Sequence, residues 1–74
     1  MFDLLYIESA YQELKEVLPI ARDQLVDGLN HYATMERDQE CEEFAEALAK
    51  LSLRIQLNEE RFNQLKLKRS ILYS

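Results

Sequence analysis

Apolar residues recur in this chain at alternating intervals of three and four. They run first as Leu4, Ile7, Tyr11, Leu14, Leu18, Ala21, Leu25, Gly28, Tyr32 and Met35, with the glycine the one non-apolar member. A second run follows as Cys41, Phe44, Leu48, Leu51, Ile55, Asn58, Phe62, Leu65, Arg69 and Leu72. This is the a and d seam of a heptad, which only a helix presents on one face. The two runs are out of phase: the first would place its next a position at residue 39, whereas the second restarts at Cys41. Two residues rotate a helix by about 200°, so an unbroken rod would carry its two stripes on opposite sides. The chain must reverse between them.

The expected fold is all-α, an antiparallel two-helix hairpin occupying residues 1–74 as a single domain, with helices at about 3–35 and 39–72 and a turn at about 35–39. One Gly and one Pro in 74 residues leave few positions for the turns that several strands would need. Asp38 is placed to cap the second helix, and Glu40, Glu42 and Glu43 follow it at the positive end of the helix dipole. Lys66, Lys68 and Arg69 suit the opposite end. Pro19 falls inside the first helix at an outward b position, where it removes one backbone hydrogen bond and predicts a kink or two shorter helices. Gly28 offers another reversal point, with Asn30 capping the next helix and arms of about 25 and 42 residues. Equal arms are preferred, because two helices of about 48 Å cover each other's seams from end to end.

Charge supports the antiparallel arrangement. The net charge is −5, but residues 36–46 carry six acids against Arg37, and residues 50–69 carry six bases against Glu59 and Glu60. Folded back, the basic end of the second helix lies beside a start of the first whose charges are mostly acidic, Asp3, Glu8, Glu13 and Glu16, with Lys15. Such exposed pairs choose orientation more than they add stability, at about 0.2–1 kcal/mol each. An acidic total argues against a protein whose main task is gripping phosphate backbones.

Other classes find little support. No apolar run approaches the roughly 20 residues of a membrane span, so no membrane partner is expected. The start, Met-Phe-Asp, has no basic region ahead of Leu4–Ile7, so no secretory signal is expected. One cysteine cannot form an internal disulfide, and a reducing, cytoplasmic setting is expected. Neither a Cys/His cluster nor a Glu-x-x-His pair offers a metal site, and one glycine makes no phosphate loop, so no cofactor or metal is expected. His31, between Asn30 and Tyr32, forms no base and nucleophile arrangement, and Cys41, among three glutamates, reads as small core filler. The chain is read as no enzyme.

A second apolar set lies off the seams: Leu5, Val17, Val26, Leu29 and Ala33 on the first helix, and Leu53, Leu57, Leu67 and Ile71 on the second. Two facing helices cannot cover both sets. A chain near 70 residues buries only roughly 60% of its unfolded surface, so a second copy or a partner helix is expected to complete a bundle. Val26, Leu29, Leu53, Leu57, Leu67 and Ile71 are the expected contact residues for a non-enzymatic adaptor, co-chaperone or regulator. In layout this hairpin resembles the short co-chaperones of type III secretion needle subunits. The alternative is a homodimeric four-helix bundle binding RNA through Lys66, Lys68 and Arg69, which resembles the plasmid copy-number regulators in layout. Asn58 in the seam reads either as a register-setting buried polar residue or as part of an open, solvated seam.

Overall fold

A computed structural model describes residues 4–36 and 39–73. It is an antiparallel pair of helices, α1 (Leu4–Thr34) and α2 (Gln39–Leu72), packed against each other along their lengths. The rod measures 53 × 19 × 15 Å.

Burial follows the heptad seams. Among the described residues, Ile7 and Leu18 on α1, and Cys41, Leu48, Ile55 and Leu65 on α2, are the buried apolar ones, and each is a seam position. Between them Tyr11, Leu14, Ala21, Leu25, Phe44, Leu51 and Phe62 are half-buried. At the ends the seam opens: Leu4, Tyr32 and Leu72 are 41%, 38% and 46% exposed. A terminal seam residue has neighbours on one side only, so the groove that would receive it is incomplete. Asn58 is half-buried, which leaves its amide within reach of water.

The chain reverses after Thr34, beyond Gly28. Gly28 therefore lies inside α1 with ordinary helical φ, and it serves packing instead of termination. A Cβ built there would lie 2.5 Å from Leu48 Cδ2, so the missing side chain is the space Leu48 occupies. Pro19 does not split α1. Both Pro19 and Lys15 are exposed, so the carbonyl left without its helical donor faces water, and packing against α2 holds the helix through that point.

At the turn, Thr34 Oγ1 donates to the His31 carbonyl at 2.8 Å, and the Met35 amide donates to the Tyr32 carbonyl at 3.1 Å. The Phe44 ring meets His31 edge-on at 5.5 Å and stacks on Tyr32 at 6.5 Å, tying the start of α2 to the end of α1. Glu40 and Glu42 occupy the first turn of α2. The expected cap Asp38, and Asp3 and Arg37, lie outside the described residues.

Candidate interaction surfaces

The helical period divides the rest of the hairpin into two broad sides. Beyond the a and d seam, e and b positions of both helices share one side, and g and c positions share the other. Observed pairs follow this division. On the e side, Arg22 Nε meets Glu59 Oε1 at 2.8 Å, and Arg69 Nε donates to Glu8 Oε2 at 2.5 Å. On the g side, Arg61 Nη2 donates to the Tyr6 hydroxyl at 3.1 Å.

The six expected contact residues are all exposed, from 49% at Leu29 to 65% at Ile71. They do not form one surface. Leu53 and Leu67 stand at f positions and Leu57 and Ile71 at c positions, so these four make a stripe along the outer back of α2. Val26 and Leu29 stand at b and e on the other side of the molecule. The expectation that all six serve one contact surface is corrected: f and c positions turn to the back and g flank of α2, whereas b and e positions of α1 turn to the opposite, e flank.

The expected basic cluster is also dispersed. Lys66 and Lys68 are two residues apart and project about 200° from each other. Arg69 is a half-buried seam residue whose head reaches across the e flank to α1. Besides Glu8, its guanidinium lies 4.7 Å from the centre of the Tyr11 ring and 5.4 Å from that of Tyr73, and Tyr11 stacks on Phe62 at 5.0 Å. The hydrogen bond from Arg69, followed by one from Gln12, holds the Glu8 carboxyl below its ordinary value of 4.5. The same bond raises the Arg69 guanidinium. Sequence spacing signalled this lock only weakly, through an arginine in a seam whose opposite flank holds an acid.

Two shallow, open depressions lie on the e side. One is at the open end of the hairpin, between Tyr11, Lys66, Arg69, Ser70 and Tyr73. The other is nearer the turn, where Leu25, Leu29 and Tyr32 of α1 flank Ala45, Ala49 and Ser52 of α2. The second was missed in the sequence because its α2 wall is made of small residues. Their 4,3 spacing, Ala45-Ala49-Ser52, was the available signal. Among the described residues no three His, Cys, Asp or Glu side chains gather as a metal site needs. Among the same residues no helix is long and apolar enough to cross a membrane. His31 spends one ring edge on Phe44, and Cys41 is buried.

No protein-family model matches the chain, nor does any curated protein or solved structure.

Proposed function

We propose that this chain is a non-enzymatic interaction module, a small helical adaptor, co-chaperone or regulator that receives a helix of another chain on the outer stripe of α2. One observation carries the reading: Leu53, Leu57, Leu67 and Ile71, each 56% exposed or more, repeat at 14-residue intervals on one outward face. Two leucine-type anchors about 21 Å apart along a helix suit a second helix laid beside it. Shallow, open surfaces favour binding over catalysis, and the one depression where titratable groups meet has its Arg69 engaged by Glu8. A single buried cysteine fits a reducing, cytoplasmic setting. The RNA-binding alternative draws less support, since Arg69 is engaged by Glu8 and the two lysines diverge.

The test compares two variants by affinity capture from the source cells. Leu53→Glu with Leu57→Glu is expected to lose the partner while keeping helical circular dichroism. Neutralising Lys66 and Lys68 is expected to leave capture intact. The reverse pattern would favour the RNA reading.

A further inference from the structure

The e side and the outer stripe of α2 face different directions, so the stripe leaves the e side unexplained. Here α1 carries a ridge, Val26 and Leu29, 54% and 49% exposed. Beside it α2 carries a low strip, Ala45, Ala49 and Ser52, which with Leu25, Leu29 and Tyr32 lines one depression. Ridge and strip lie at the same level of the hairpin. On this side α2 has no charged residue between Glu42 and Glu59.

The hairpin also exposes more surface than its mass requires. Its accessible area is 6148 Å², against about 4,800 Å² for a compact monomer of this mass. The radius of gyration is 16.5 Å, against about 11 Å for a compact chain of this length. Among the described residues no side chain is fully buried. The excess area exceeds the roughly 800 Å² per partner of a standard interface.

We propose that the e side is the dimer interface with a second copy of this chain, with the two turns at the same end of a four-helix bundle. The ridge and strip decide both the occupant and its orientation. A two-fold axis along the hairpin sets α1 of each copy on α2 of the other, so Val26 and Leu29 enter the strip of Ala45, Ala49 and Ser52. A two-fold axis across the middle of the hairpin would set the ridge against the polar positions Glu8 and Gln12 of the other copy's α1, and one at the level of the ridge would stack ridge on ridge and leave the strips facing a void, which close packing disfavours. Charge agrees. The first orientation brings Arg22 of each copy beside Glu59 of the other and makes an alternating group of four from two existing ion pairs. The outer stripe of α2 stays exposed in this dimer, so the inference is independent of the reading above.

Sedimentation equilibrium and cysteine pairing test it. The wild-type chain is expected at twice its 8.8 kDa mass. Ala49→Glu, and separately Ser52→Glu, both at exposed helical positions, are expected to weaken dimerisation on the order of 100-fold with helicity retained. Leu53→Glu with Leu57→Glu is expected to leave the dimer unchanged. In a Cys41→Ser background, chains carrying Val26→Cys and chains carrying Ala49→Cys should form a disulfide only when mixed. A wild-type chain at 8.8 kDa across the concentration range would overturn the dimer. Loss of the dimer in the leucine variant alone would move the interface to the outer stripe. Disulfides formed by either cysteine chain with itself would overturn the orientation.

Discussion

Gly28 shows how one absent side chain sets a contact. Glycine inside a helix costs about 1 kcal/mol relative to alanine, and here that cost leaves room for Leu48, which is 9% exposed. Gly28→Ala in the wild-type chain should gain little, because the Leu48 methyl must shift. In a Leu48→Ala background the same change should show its full gain of about 1 kcal/mol. Urea unfolding of the four chains in this cycle would measure the coupling, and additivity would show that Leu48 repacks without strain. At the other end, Glu8 makes the fold pH-sensitive. A carboxyl whose folded value is depressed supports the native state above its unfolded value and loses that support as the pH falls through the folded one. Below about pH 4.5, amides near Glu8 and Arg69 should therefore lose protection relative to their intrinsic exchange rates, while those near Phe44 keep theirs. Glu8→Gln should remove this difference between the ends.

At the scale of the element, α1 tolerates a proline that local propensity would reject. The helix continues from Leu4 to Thr34 because Leu18, beside Pro19, is 2% exposed and anchors the turn against α2. Tertiary contact thus outweighs a local penalty of about 3 kcal/mol. Pro19→Ala should stabilise the hairpin by about 1–3 kcal/mol in urea unfolding, since it restores a hydrogen bond at an exposed site. The proline's stiffening of the unfolded chain offsets part of that gain. A loss of stability would mean that the proline ring itself packs in the native state.

At the scale of the whole molecule, opposite charges and the phase break act together. Arg22 with Glu59 and Arg69 with Glu8 both join α1 to α2, and a parallel or shifted pairing would separate these partners. The resulting arrangement places the start of α1 by the end of α2. Tyr11→Cys with Leu65→Cys, which the contacts of Tyr11 with Phe62 and Arg69 put at one level, should therefore form a disulfide within one chain in a Cys41→Ala background. Non-reducing electrophoresis of dilute protein reads this as a faster-moving monomer. A link formed only between chains would indicate exchanged helices.

What the residues determined alone is the helical class, the seam and the reversal, because each follows from a period that any helix must obey. Leu48 and Ile55 could be assigned to the core, and Leu53 and Leu57 to the outside, by counting turns. The same counting separates Lys66 from Lys68, yet adjacency in sequence made them look like one cluster. Tertiary structure decided what counting along one helix cannot supply, namely which flank of α1 adjoins which flank of α2. It thereby parted Val26 and Leu29 from the α2 stripe, brought them beside Ala45 and Ala49, and carried the Arg69 head across the e flank onto Glu8. The physical reason is that the seam specifies direction toward the partner helix, whereas the composition of a face depends on two helices whose relative register is set only by packing.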